Sequence, residues 1–155
     1  MTAAITFIFL LAAIATTLGL SVKRIPEGQV YTLHRRHHAQ PKLLTPGTHW
    51  IVPLRDHVAH KISLTGRILQ LDETLGEVAS RVRGTVYWQV LEPIRADAVI
   101  DRADHLIRER ALDGFRNHHD LDPVARNLEL KSRLNQVLKP EGVFVTRVDL
   151  RATPA

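Results

Sequence analysis

The sequence predicts an α+β fold in which an N-terminal transmembrane helix precedes one domain. Residues 3–22 form an apolar stretch without an ionisable side chain. Residues 58–64 and 80–91 alternate apolar and polar positions, which is the pattern of strands, and residues 93–138 carry apolar positions at helical spacing. The domain is therefore expected to contain an antiparallel, strand-rich half, then paired helices, and then a closing strand.

The apolar stretch at residues 3–22 predicts a membrane anchor, because a helix of this length spans about 30 Å. A cleaved signal peptide would have basic residues ahead of its apolar core, whereas Lys23 and Arg24 follow it. A helix inside a soluble protein would show a polar stripe, which this stretch lacks. We therefore expect an uncleaved, single-pass anchor, and the two basic residues favour a domain on the cytoplasmic side.

Residues 23–83 are predicted to form a membrane-proximal, strand-rich subdomain. A turn at residues 25–28 opens it, and the pair Pro46-Gly47 predicts a second turn before an apolar run that Pro53 ends. The predicted strands are residues 29–35, 58–64, 68–71 and 80–91.

Residues 84–151 are predicted to form the α/β part of the same domain. Pro93 opens a short helix, Asp101 or Asp104 caps the second helix, and Asp122 caps the third with Pro123 at its first position. The core stripes expected on the two longer helices are Leu106, Ile107, Ala111, Leu112 and Phe115, and then Val124, Leu128, Leu134, Val137 and Leu138. Residues 143–150 are predicted to close the domain as a strand, with Phe144, Thr146, Val148 and Leu150 on one side.

The positive charge is concentrated directly after the apolar stretch. Residues 23–83 contain 10 Lys and Arg against 5 Asp and Glu, whereas residues 84–155 contain 11 of each kind. An anionic lipid surface attracts each nearby basic residue by about 1 kcal/mol. Anionic lipid headgroups are therefore the expected partner, although an ordinary solvated basic surface fits the same pattern. Nucleic acid is not expected, because no recognition motif accompanies the charge.

Several segments, in order, resemble the SPFH or band 7 family of stomatins, prohibitins and flotillins. They are Ile25-Pro26-Glu27-Gly28-Gln29-Val30, Pro46-Gly47-Thr48-His49-Trp50-Ile51-Val52-Pro53-Leu54, Val86-Tyr87-Trp88-Gln89-Val90 with Glu92-Pro93, and the closing segment at residues 141–150. Together they cover residues 23–150. Residues 72–83 are shorter than the family pattern, and the coiled coil that typical members carry after the closing strand is missing from residues 151–155.

The resemblance implies a non-enzymatic, membrane-anchored protein that organises lipids and other membrane proteins, membrane proteases among them. It also implies side-to-side packing into a homo-oligomer, but not assembly into cages. The alternative is a small regulatory subunit that docks on a larger membrane complex without self-assembly. The residues expected to contact lipid are Lys23, Arg24, Arg35, Arg36, Trp50, Ile51, Val52 and Leu54. Trp50 is the key residue, because the segment at residues 48–54 either enters the lipid interface or forms an edge strand with Trp50 in the core.

No catalytic, cofactor-binding or metal-binding residue is predicted. The chain has no Cys, and its serines lack the glycine-flanked context of a hydrolase nucleophile. His57 and His60 are three apart in a predicted strand, so their side chains face opposite sides and cannot easily share an ion.

Overall fold

The computed structural model describes residues 2–35, 41–51, 56–75, 80–118 and 121–154. The chain divides into two compact units, residues 1–61 and 62–155. The first unit consists of one helix and several short strands, and the second is a three-stranded sheet with helices. The strand-rich α+β class predicted from the sequence is confirmed. The sequence-based subdivision into residues 23–83 and 84–151 stays a prediction.

The N-terminal helix, α1, spans Thr2–Ser21. Val22, counted above as the end of the apolar stretch, is instead the first residue of a strand. Thr6 and Thr16 interrupt the apolar sequence of α1, and the Thr16 hydroxyl donates to the Ala12 carbonyl at 2.5 Å. Within the described ranges, no helix combines the length and the apolarity that crossing a membrane requires. The predicted transmembrane anchor at residues 3–22 is therefore wrong, and with it the single-pass localisation and the cytoplasmic placement that followed from it.

The first unit contains two small sheets. Strand β1 (Val22–Ile25) pairs with β4 (Gly47–Trp50), and the order β3–β2–β5 joins Lys42–Leu44, Gln29–Arg35 and Asp56–Ser63. The apolar core of this unit is formed by Ile25, Tyr31, Leu33, Leu44 and Ile51, with Val58 packed against it. The buried Thr32 hydroxyl ties β2 to β5, since it donates to the His60 carbonyl at 3.4 Å and accepts from the His60 N–H at 3.2 Å. The strand predicted at residues 29–35 is confirmed, whereas β1 was not predicted.

The second unit is built on an antiparallel sheet in the order β6–β7–β8, formed by Arg67–Leu75, Ser80–Val90 and Val143–Pro154. One face of this sheet is buried under helices. Trp88 and Val86 are fully buried there, and the Trp88 indole N–H donates to the Asp104 carboxylate at 3.1 Å. The predicted central strand is thus confirmed, with its apolar side facing the core.

The helices of this unit are α2 (Pro93–Ala96), α3 (Ala103–Asn117) and α4 (Pro123–Leu138), with a 3-10 turn at Ile100–Arg102. The predicted start of α4 is confirmed, because the Asp122 carboxylate accepts from the Val124 N–H at 3.1 Å. The predicted cap of α3 is wrong, since Arg102 holds that position without a side-chain hydrogen bond.

The buried stripe of α4 differs from the predicted one. The residues facing the core are Arg126, Leu130, Leu134 and Leu138, whereas Val124, Leu128 and Val137 are 69%, 64% and 49% exposed. The Arg126 guanidinium lies over the Phe115 ring of α3 at 4.1 Å from its centroid, and this contact lets a basic side chain occupy an interior position. Burial lowers the pKa of Arg126 from its ordinary value, and the charge of Asp122 opposes this shift.

Strand β8 contains an irregularity opposite Tyr87 and Trp88. Val145 pairs with Trp88 and Arg147 pairs with Tyr87, so Thr146 is an extra residue in the ladder. This insertion reverses the alternation, and the buried positions are Val143, Val145, Val148 and Leu150. The prediction that residues 144, 146, 148 and 150 share one side is wrong for this reason.

Candidate functional site

The candidate site is the two-stranded ribbon formed by β1 and β4, which directly follows α1. The register places Val22 opposite Trp50, Lys23 opposite His49, and Arg24 opposite Thr48. No residue separates Ser21, the last residue of α1, from β1, and the Ile51 N–H donates to the Ser21 carbonyl at 2.7 Å. The helix and both strands of the ribbon are therefore joined by covalent and hydrogen bonds.

The outer face of the ribbon is exposed and combines apolar, aromatic and basic groups. Trp50 is 66% exposed and its cross-strand neighbour Val22 is 45% exposed. Arg24 and Thr48 lie on the same face, because side chains alternate along each strand, and both are exposed. Ile25 points the other way and is 2% exposed. Of the two sequence-based alternatives for Trp50, the structure therefore places this side chain outside the core.

The structure brings three of the predicted contact residues to this ribbon and places two others, Arg35 and Ile51, elsewhere in the first unit. Lys23, Arg24 and Trp50 are exposed on it, whereas Ile51 is 5% exposed and belongs to the core of the first unit. Arg35 lies at the end of β2, where its Nε donates to the Asp56 carboxylate at 2.8 Å. The predicted contacts at residues 36, 52 and 54 lie outside the described residues.

The Arg35–Asp56 ion pair explains why Arg35 differs from the ribbon cations. The side chain of Asp56 is only 4% exposed, and that of Arg35 is 33% exposed. A carboxylate with so little access to water needs a cation beside it, since an unpaired buried charge is costly. The charge of Arg35 is thus neutralised by Asp56 within the first unit.

The helix α1 presents apolar side chains in every direction. The described ones are about half exposed or more, from 49% at Ile14 to 72% at Phe9. A continuous apolar surface of this kind marks a contact with another molecule.

Val22 is a ribbon residue that sequence reasoning missed. It was counted as the end of the apolar stretch, so its role as a strand residue facing Trp50 was not expected. The available signal was the alternation in Val22-Lys23-Arg24-Ile25, which is too short to distinguish a strand from a continued helix.

The described residues offer little for metal binding or acid–base chemistry. Within the part of the chain that the structure describes, no three His, Asp or Glu side chains lie close enough together to hold a metal ion. A groove of 540 Å³ between α3 and α4 contains two carboxylates, Asp113 and Glu129. Arg133 donates to Glu129 at 2.7 Å, and Arg116 lies 3.8 Å from Asp113, so both carboxylates act as ion-pair partners.

The chain is similar to a known protein that has no assigned role. No protein-family model matches the chain. The chain is 27% identical over 142 residues to an uncharacterized protein of Schizosaccharomyces pombe, an alignment that covers 84% of this chain and 40% of that protein. The chain thus spans less than half of the length of the relative that it matches.

Proposed function

We propose that the chain is a non-enzymatic, SPFH-like interaction protein whose ribbon binds anionic lipid headgroups and so brings protein partners to a lipid surface. The exposure of Trp50 carries the proposal. Tryptophan side chains in folded proteins are mostly buried, whereas Trp50 is 66% exposed. It also lies opposite another exposed apolar residue, Val22. Tryptophan prefers the headgroup level of a lipid layer, because its ring is apolar and its indole N–H is polar.

The charges of the ribbon fit the same partner. Lys23 and Arg24 are exposed and have no carboxylate within 4.0 Å among the described residues, unlike Arg35. Each basic side chain close to an anionic surface contributes about 1 kcal/mol of attraction. The outer face of the ribbon thus carries an aromatic side chain beside one cation, Arg24, while Lys23 projects from the other side of the same strand. An exposed tryptophan with cations this close matches a surface of apolar chains under phosphate groups.

Vesicle binding of the full chain tests the proposal. We expect binding to vesicles that contain phosphatidylserine, with an affinity about thirtyfold lower when Lys23 and Arg24 are both replaced by alanine. Arg24→Ala alone is compared with Lys42→Ala, which removes an exposed cation from another strand of the same unit. Equal losses in these two single variants would contradict the proposal, because they would show that only the total charge matters.

Tryptophan quenching supplies a readout of depth. Trp88 is fully buried in the second unit, so brominated lipids should quench only Trp50. We expect quenching in the wild-type chain and its loss in the Trp50→Phe variant. Bound protein without quenching would show that the ribbon does not face the lipid, and the proposal would fail.

A docking subunit of a larger complex is the second candidate function. It is favoured by the sheet of the second unit: among the described residues the helices cover one face, and the other face carries exposed side chains such as Arg81, Arg83 and Arg151. The two candidates differ in self-association. The SPFH-like, lipid-binding protein of the first proposal would form large homo-oligomers in mild detergent, whereas a docking subunit would be a monomer or dimer once its partner is removed. Size measurement by light scattering distinguishes the two.

A further inference from the structure

The face of the β6–β7–β8 sheet that points away from the helices, the open face, carries more cations than anions. Its cations are Arg81 and Arg83 on β7 and Arg147 and Arg151 on β8, and its anions are Asp72 on β6 and Asp149 on β8. The net charge of these six side chains is therefore +2. None of the three strands contains a lysine.

Both aspartates of the open face are already paired. Arg81 binds the two oxygens of Asp72, from Nε at 2.5 Å and from Nη2 at 2.9 Å. Arg147 lies 2.6 Å from the Asp149 carboxylate. Two of the four arginines are thereby neutralised by their neighbours, and two are left.

The remaining arginines, Arg83 and Arg151, face each other directly across β7 and β8. Both are exposed, and neither has a carboxylate within 4.0 Å among the described residues. Asp72 is opposite Arg83 in the register, but its carboxylate is held by Arg81. Like charges directly opposite each other destabilise a sheet. The fold retains a repulsive pair at a position where an anion would bridge both guanidinium groups.

We propose that Arg83 and Arg151 form a docking site for a carboxylate in an acidic segment of a partner protein. A guanidinium group binds a carboxylate through two parallel N–H donors, and two facing guanidinium groups surround it from both sides. This inference uses a different unit and different residues from the ribbon, so it stands or falls independently of lipid binding.

The composition of the open face favours a protein over a lipid. Ile68 is 62% exposed on β6, and Tyr87 and Phe144 are half-buried on β7 and β8. Protein interfaces are enriched in arginine and aromatic residues and depleted in lysine, and the open face shows this composition. A surface that attracts lipid headgroups only by charge has no need for arginine rather than lysine.

Fluorescence anisotropy with an acidic peptide tests the site in the full chain. The probe is a fluorescein-labelled ten-residue peptide that alternates Glu and Val, and the matched peptide has Gln in place of Glu. We expect the acidic peptide to bind, and Arg83→Gln or Arg151→Gln to weaken its binding about tenfold. The melting temperature of these variants should stay equal or rise, because each substitution removes the repulsion between the two arginines.

Arg110→Gln is the control, since Arg110 is an exposed arginine on a helix of the same unit. We expect it to leave peptide binding within about twofold of the wild-type value. Three results would overturn the inference: equal binding of both peptides, an equal loss in Arg110→Gln, and no binding at all. A fourth would be a loss of vesicle binding in Arg83→Gln with peptide binding intact, because the arginines would then serve lipid.

Discussion

Replacing Asn135 with alanine should destabilise the second unit at the outer edge of its sheet. The Asn135 side chain binds both backbone groups of Val145 in β8, donating to the carbonyl at 2.9 Å and accepting from the N–H at 2.8 Å. A side chain of α4 thus takes the place of a neighbouring strand at this residue. Asn127, two turns earlier in α4, accepts a single hydrogen bond from the Leu150 N–H at 3.3 Å.

The expected magnitude follows from the number of bonds that are lost. A polar group left without its partner costs about 1–3 kcal/mol, and the lower end applies here because water can reach part of this edge. Two lost bonds therefore cost about 2–3 kcal/mol, and the better helix propensity of alanine returns about 0.6 kcal/mol. We expect a net loss of about 2 kcal/mol for Asn135→Ala and less than about 0.5 kcal/mol for Asn127→Ala, which removes one long bond.

Urea unfolding followed by fluorescence measures this difference. In a Trp50→Phe background, Trp88 is the only tryptophan, and it lies directly opposite Val145 in the sheet. Its emission therefore reports the unfolding of this part of the unit. Equal free energies of unfolding for the two alanine variants would refute the reasoning, because they would show that the bonds at Val145 contribute no more than the single bond at Leu150.

Two further predictions concern a turn and an ion pair. Gly142 has a φ of 77° and a Cβ added to it would lie 2.4 Å from the Glu92 carbonyl oxygen, so Gly142→Ala should lower the free energy of unfolding by about 2–4 kcal/mol. Gly66→Ala, where no atom lies within 4 Å of the added Cβ, should change it by less than about 0.5 kcal/mol in the same urea experiment. The hydrogen bond from Arg133 lowers the pKa of Glu129, so the stabilisation from this pair is present at neutral pH and is lost as the pH falls through that pKa. Arg133→Gln should raise the pKa of Glu129 in a carboxyl NMR titration, and an unchanged pKa would contradict the assignment.

Local physics made some elements predictable from the sequence. The start of α4 depends only on Asp122 and Pro123, which cap and initiate a helix without help from the rest of the fold. The central strand β7 was predictable because its alternation extends over a long, regular stretch. The same rules predicted the strand at Gln29–Arg35.

Other features depend on contacts between distant residues and were mispredicted. The buried stripe of α4 passes through Leu130 because Gly114 on α3 leaves room for it, with Leu130 Cδ2 only 2.5 Å from the position of an added Cβ. That close approach turns Arg126 toward the core and leaves Val124 exposed. In β8, the single inserted residue Thr146 reverses the alternation, and no local pattern marks it.

The candidate site was predictable in part. The basic pair Lys23 and Arg24 and the tryptophan at position 50 were recognised from charge and residue type, but nothing in the sequence indicated that β1 and β4 would pair. Arg35 was placed in the same group because its charge is visible in the sequence, whereas its partner Asp56 is 21 residues away. Whether a basic side chain is ion-paired depends on such contacts between distant residues. Counts of charged residues in the sequence do not reveal these contacts.

The direct join between α1 and the ribbon has a mechanical consequence. Ser21 ends the helix, Val22 begins the strand, and the carbonyl of Ser21 is held by Ile51 beyond the second strand. No linker residue lies between the helix and the strand, so a molecule that binds the helix also fixes the orientation of Trp50. A rotation of the helix about its axis would therefore also rotate the β1–β4 ribbon and change the direction in which the Trp50 side chain points.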